Sequence, residues 1–142
     1  MNKEIKRAVI VIGEEASGKT KTINLLKEQI LEINTNQQIY TTIDNDELYI
    51  YSQTMQEKGD HDTSRLENRL NVYYTYKYVI LPSRPLHDND TDLCLMDIIK
   101  TLEKYEYNIS YVTINGDGQR NYGYYVNKAE DIFDLINIET VN

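Results

Sequence analysis

The chain holds a single cysteine, Cys94, so no disulfide can form within it, which fits a reducing compartment. Cys94 sits in the apolar run Leu93-Cys94-Leu95-Met96 and is expected to be a buried core thiol. No stretch approaches the roughly 20 apolar residues that a membrane-spanning helix needs. The N-terminal apolar run, Ala8 to Ile12, is too short for the hydrophobic region of a signal peptide, so a cytoplasmic location with no membrane partner is expected. Basic residues are scarce: 15 Lys and Arg stand against 23 Asp and Glu, a net charge of -8. Nucleic-acid binders neutralise phosphates with a basic face, so this balance argues against a dedicated DNA or RNA binder. The two histidines lie among loop carboxylates, Asp60-His61-Asp62 and His87-Asp88-Asn89-Asp90, and are read as solvated surface rather than metal ligands. Nothing in the sequence marks an oligomeric state.

What is present suits one domain of 142 residues, with 40% hydrophobic and 27% charged residues. Residues 7–12 are continuously apolar and β-branched, as in a buried parallel strand. Ile23, Leu26, Ile30 and Ile33 then mark one face of a helix beginning at Lys19, ended by Asn34-Thr35-Asn36. Residues 38–43 read as a second strand and 46–57 as a helix with Leu48, Tyr51 and Met55 on its face. Ser64-Arg65-Leu66-Glu67 matches a capping box that opens a short helix. Residues 76–81 form a third strand, stopped by Pro82 and Pro85. A polar loop, a helix over 93–107, a fourth strand over 109–114 and a helix over 119–137 complete the pattern. Strands alternating with helices predict a three-layer α/β/α fold with a mainly parallel sheet of about four strands, in a single domain over 1–142.

The most specific signal is Gly13-Glu14-Glu15-Ala16-Ser17-Gly18-Lys19-Thr20, which fits the phosphate-binding pattern Gly-x-x-x-x-Gly-Lys-[Ser/Thr] known as the P-loop or Walker A motif. A hydrophobic strand precedes it and an amphipathic helix follows, which is the context the motif requires. Gly13 and Gly18 permit turns that a side chain would block. Backbone N–H groups and the helix N-terminus then favour phosphate. Lys19 is expected to bridge β- and γ-phosphates, and the Thr20 hydroxyl to bind Mg²⁺. Lys21 completes the expected nucleotide-binding set. The expected cofactors are ATP or GTP with Mg²⁺. Glu14 and Glu15 are unusual beside a polyphosphate, since like charges oppose binding. One can face solvent, while Glu15 in particular can hold a metal-bound water or a substrate hydroxyl.

Four further groups are candidates. Asp44 and Asp46 follow the second strand, at the sheet edge where ligands gather. Either can take a proton from an acceptor or bind Mg²⁺ through water; the alternative is that both cap a helix. Arg84, in Leu81-Pro82-Ser83-Arg84-Pro85, can balance charge on a transferring phosphoryl group or be an ordinary surface arginine. Asn115, Gly116 and Asp117 follow the fourth strand and either face a nucleobase or form a plain turn capped by Asp117. Asn127-Lys128-Ala129-Glu130 only superficially matches a guanine-reading motif, because it lies inside a periodic helix. The 13 tyrosines are read as core-edge residues rather than base-stacking ones.

The loop Gly13–Thr20 resembles the Gly-x-Glu-Ser-x-Gly-Lys-[Ser/Thr] loops of small P-loop nucleoside and nucleotide kinases, similar to the nicotinamide-riboside kinase domain of NAD-biosynthesis regulators. Glu15 falls on that group's loop glutamate. Tyr76-Lys77-Tyr78-Val79-Ile80-Leu81-Pro82 is similar to its strand ending in Leu-Pro, and Val112-Thr113-Ile114-Asn115-Gly116-Asp117 to its last strand and Gly-Asp turn. The resemblance covers about two-thirds of the chain. The group's lid arginine has no counterpart in His87-Asp88-Asn89-Asp90, where only Arg84 is nearby, and the middle of the chain is short. The resemblance implies a P-loop NTPase fold and an ATP-dependent phosphotransferase acting on a nucleoside, nucleotide or related small molecule. Lys19 and Thr20 with Mg²⁺ would hold the donor, Asp44 or Asp46 would serve the acceptor, Arg84 would balance charge and Glu15 would assist. The alternative is a nucleotide-binding or weakly hydrolysing module with a regulatory or partner-binding role.

Overall fold

Alternation of β-branched and aromatic residues, buried on both faces, builds a central sheet. The computed structural model describes residues 5–55, 57–59, 61–71, 76–85, 93–116 and 119–139. Its strands are β1 (Lys6–Ile12), β2 (Ile39–Thr41), β3 (Glu47–Ile50), β4 (Tyr78–Ser83) and β5 (Tyr107–Thr113). They form one five-stranded sheet in the order β2-β3-β4-β1-β5. β1 pairs in parallel with β4 and β5, and β3 pairs in parallel with β4, while β2 is an antiparallel edge strand on β3. The helices are α1 (Lys19–Leu25), α2 (Ser64–Leu70), α3 (Leu95–Lys104) and α4 (Tyr122–Ile136). The fold is therefore mixed α/β with a mostly parallel sheet, compatible with three layers.

Each face of the sheet carries its own apolar core. Val9 and Val11 of β1 pack with Ile23, Leu26, Tyr125 and Ile132 from the α1 and α4 side. Ala8 and Ile10, one residue out of phase, pack with Leu66, Leu70, Ile98 and Leu102 from the α2 and α3 side. The period-2 alternation of a strand thus divides the β1 side chains between two helical layers.

Several expectations need correction. The predicted helix over 46–57 is instead β3 followed by turns. Leu48 and Ile50 enter one core while Tyr49 and Tyr51 enter the other, so the period is 2 and not 3.6. The spacing of Leu48, Tyr51 and Met55 satisfies a helix by coincidence, and the aromatic and β-branched composition of Leu48-Tyr49-Ile50-Tyr51 suits a pleated surface better. The predicted second strand shrinks to β2 and is not one of the parallel set. Four parallel strands exist, but β3 takes the place expected of residues 38–43.

β4 runs through Pro82 to Ser83, pairing Pro82 with Val11. The proline does not end the strand there. The predicted helix through Ile33 holds α form only to Leu25, then winds as a π-helical turn over Leu26–Ile30. Buried Lys27 stands in that turn and donates to the Thr35 carbonyl at 3.0 Å. Ser64 does not form the expected capping box: Thr63 is the cap residue, and the Ser64 N–H donates to Asp62 Oδ1 at 3.0 Å. Cys94 is only half-buried. It caps α3, its N–H donating to Asp97 Oδ2 at 3.0 Å and its thiol to the same oxygen at 3.3 Å. Among the described residues no helix is long and apolar enough to cross a membrane.

Candidate functional site

The C-terminal ends of β1, β4 and β5 meet at one edge of the sheet, and residues 13–18 leave β1 there. Gly13 N–H donates to Ser83 O at 3.1 Å, and Ile114 N–H donates to Ile12 O at 2.7 Å, which stitches the three strand ends together. The loop then turns tightly. Ser17 N–H donates to Glu14 O at 3.1 Å, Ala16 is left-handed at φ 61°, and Gly18 is left-handed at φ 108°. A Cβ at Gly13 would overlap Ser17 Oγ, so only glycine fits there.

α1 begins on Gly18 with no side-chain cap. Its first N–H groups therefore lack the cap that most helices supply. Ser17 Oγ is buried and has no hydrogen-bond partner. A cavity of about 550 Å³ opens beside the loop, lined by residues 15–21 together with Glu57 and Gln119. That volume lies in the range of small-ligand sites.

Lys19 is the chemical centre of this edge. It is buried, and its ammonium donates to Gly13 O at 2.7 Å and to Glu14 O at 2.6 Å. Those two bonds use two of its three hydrogens and hold the head group inside the loop. Burial pushes its pKa below the ordinary lysine value; Glu57 is the strongest opposing influence, Arg84 adds repulsion, and Glu14 and Glu15 pull back more weakly. Arg84 is a buried residue at the end of β4, not a surface arginine. Thr20 Oγ1 donates its only hydrogen to Ser52 O at 2.8 Å. Both lone pairs of that oxygen are then left for a cation, so the residue fits the role of a Mg²⁺ ligand. Among the described residues no cluster of three or more His, Cys, Asp or Glu forms a closed metal site.

The sequence candidates divide sharply in space. Gly13 to Lys21, Arg84, Asn115 and Gly116 lie at the loop edge. Lys21 places its ammonium 5.0 Å from the Tyr125 ring, on the loop side of α4. Asn115 N–H donates to the Tyr124 hydroxyl at 2.8 Å, and Arg120 Nε donates to Asn115 O at 2.7 Å. Asp117, His87, Asp88, Asn89 and Asp90 lie outside the described residues.

Asp44 and Asp46 are misplaced by the sequence reading. They sit in the hairpin between β2 and β3, at the start of β3, and the parallel register puts that end of β3 at the sheet edge opposite the loop. Asp46 pairs there with Lys77 at 3.2 Å. The error follows from the missed strand: with a helix expected after residue 46, the two carboxylates seemed to close a parallel strand, whereas they connect an antiparallel pair. Asp46→Asn should therefore lower stability by about 0.2–1 kcal/mol, as expected for a partly exposed ion pair. The melting temperatures of wild type and variant check this.

Two residues of the site went unread. Glu57 falls inside the segment expected as a helix over 46–57, and Gln119 at the expected start of the last helix. The mostly polar residues after Tyr51, ending at Gly59, are the available signal for a loop at this edge. Compared with known protein families, with curated proteins and with solved structures, the chain matches none of them.

Proposed function

We propose that the chain is a P-loop NTPase-type phosphotransferase that holds the β- and γ-phosphates of ATP or GTP on the 13–20 loop, with Mg²⁺ at Thr20. It would act on a small hydroxyl or phosphate acceptor in the manner of the nucleoside and nucleotide kinases it resembles. The observation that carries this reading is Lys19: a buried ammonium held by its own loop, at an uncapped helix start that faces an open cavity. The strand order adds support, because the 13–20 loop leaves the C-terminal end of β1, a parallel strand flanked by β4 and β5, and ligands of open α/β sheets gather outside such strand ends.

Lys19 would donate its third hydrogen to phosphate oxygen, and the first N–H groups of α1 would take the rest of the negative charge. Arg84 would add a second cation as charge shifts toward the leaving diphosphate. Bound Mg²⁺ would neutralise phosphate charge and hold the terminal phosphates in line. The loop's job is positioning and charge, which is most of what phosphoryl transfer requires.

Ser83 favours a second reading. At the end of β4, beside β1, P-loop NTPases place a metal-holding carboxylate. Here a neutral serine stands, its hydroxyl donating to Arg84 O at 2.9 Å. A nucleotide-binding module that hydrolyses slowly would tolerate that change.

One experiment separates the two. The protein is incubated with γ-labelled ATP or GTP and Mg²⁺ over panels of nucleosides, nucleotides and oligonucleotides. Label on an acceptor supports the transferase reading, and free phosphate alone supports the module. Absence of any nucleotide binding, measured by calorimetry under the same conditions, rejects both.

A further inference from the structure

We propose that Glu57 is the catalytic carboxylate of this site, the group that aligns the attacking hydroxyl and takes its proton; this rests on the nucleotide reading above. Asp44 and Asp46 cannot serve, because they lie at the opposite edge of the sheet. A phosphoryl acceptor must approach the terminal phosphate from the side away from the leaving diphosphate, so its base must face Lys19 across the cavity instead of standing beside it in the loop.

Glu57 meets that requirement. It lines the same cavity as Lys19 and Thr20, yet it comes from a different part of the chain. Glu14 and Glu15 belong to the loop itself, and each interacts with Lys19 more weakly than Glu57 does. Glu15 borders the cavity from the loop side, where it would meet phosphate rather than acceptor.

The backbone that presents Glu57 is anchored at two points. Thr20 Oγ1 holds Ser52 O at 2.8 Å, which fastens the chain leaving β3 to the start of α1. Thr54 and Met55 are buried, and Thr54 Oγ1 accepts from Glu57 N–H at 3.0 Å while Thr54 O accepts from Lys58 N–H at 3.2 Å. The turn is therefore held by these bonds, and Glu57 is exposed and lines the cavity.

The step balances without another reactant. The acceptor oxygen forms a bond to the γ-phosphorus as the bond to the β,γ-bridging oxygen breaks. That oxygen leaves with its electron pair on the nucleoside diphosphate, and the acceptor proton passes to the Glu57 carboxylate. With water as the acceptor the products are nucleoside diphosphate and inorganic phosphate.

The test compares full-length wild type, Glu57→Gln and Glu57→Asp with Mg-ATP and Mg-GTP. Glutamine keeps the size of the side chain and one acceptor oxygen but takes no proton. Calorimetry should show nucleotide affinity unchanged or tighter in Glu57→Gln, because a negative charge near the polyphosphate is gone. Single-turnover diphosphate formation should fall by roughly 10²-fold or more, with partial recovery in Glu57→Asp. Turnover of Glu57→Gln within about 3-fold of wild type, with binding intact, overturns the role of Glu57 and leaves nucleotide binding standing. Wild-type binding without any turnover overturns it as well. Failure of wild type to bind either nucleotide removes both proposals together.

Discussion

Lys19→Ala should abolish measurable nucleotide binding and leave the fold in place. The ammonium is the one cation held inside the loop by two main-chain carbonyls, Gly13 O and Glu14 O. A phosphate that replaces water there gains a charge-assisted hydrogen bond from the third hydrogen, worth about 1.5–3 kcal/mol. Its loss, with the ionic attraction, amounts to about 3–4 kcal/mol, or roughly 10²- to 10³-fold in Kd. Stability should fall only modestly, because burial already disfavours the ammonium, which offsets part of the roughly 1–3 kcal/mol cost of leaving the Gly13 carbonyl without its buried donor.

Thermal unfolding with and without Mg-ATP makes the contrast sharp. Ligand should raise the wild-type Tm with the logarithm of its excess over Kd and leave the variant Tm unmoved. The lowered Lys19 pKa adds a second signature. Below that pKa the ammonium is charged and binding is intact; as pH rises through it the charge is lost and affinity falls. Bound phosphate favours the charged form, so the decline should begin at a higher pH in the complex than in the free protein. Equal affinity in wild type and variant would sink the assignment of the loop.

The loop was legible in the sequence because its chemistry is local. A strand, two glycines five positions apart, a lysine and a hydroxyl residue follow one another without a break, and the fold needs only to bend them. β1 was legible for a similar reason: Ala8 to Ile12 can be nothing but interior. The carboxylates were not. Asp44 and Asp46 were assigned from their place after a strand, yet which edge of the sheet that strand end occupies depends on its direction. Direction depends on whether the next segment is helix or strand, a question that Leu48-Tyr49-Ile50-Tyr51 answers only when both of its faces are seen to be buried. Glu57 needed the same information. Its 38-position separation from Lys19 is closed by the pairing of β3 with β4 and of β4 with β1, and no local pattern records that pairing. The sequence around Arg84 fits a functional or a surface arginine equally, and burial at the end of β4 is a tertiary fact that its Pro-flanked sequence does not carry.

Gly18→Ala should be among the most damaging single changes in the chain, and its cost divides into two parts that can be measured apart. Gly18 is left-handed at φ 108°, where an L side chain is strained by about 1–2 kcal/mol. A Cβ there would also overlap Cε1 of Tyr125, a ring with no exposed surface. The ring cannot swing away, because it is enclosed by the α1 and α4 core and its hydroxyl lies 3.3 Å from the Arg120 N–H that it accepts from. Overpacking of this kind costs about 1–3 kcal/mol more. The sum, about 2–5 kcal/mol, corresponds to a fall in Tm of about 8–20 °C for a chain of this length. Gly59→Ala supplies the reference. Gly59 is also left-handed, at φ 82°, but nothing lies within 4 Å of where its Cβ would stand. It should show the conformational penalty alone, about 1–2 kcal/mol. Tyr125→Phe should not rescue Gly18→Ala, since the colliding atom belongs to the ring and not to the hydroxyl. Chemical denaturation of the three variants reads all of these values. A Gly18→Ala protein no less stable than Gly59→Ala would mean that the loop and α4 are not in contact, and that the start of α1 is not fixed where Lys19 needs it.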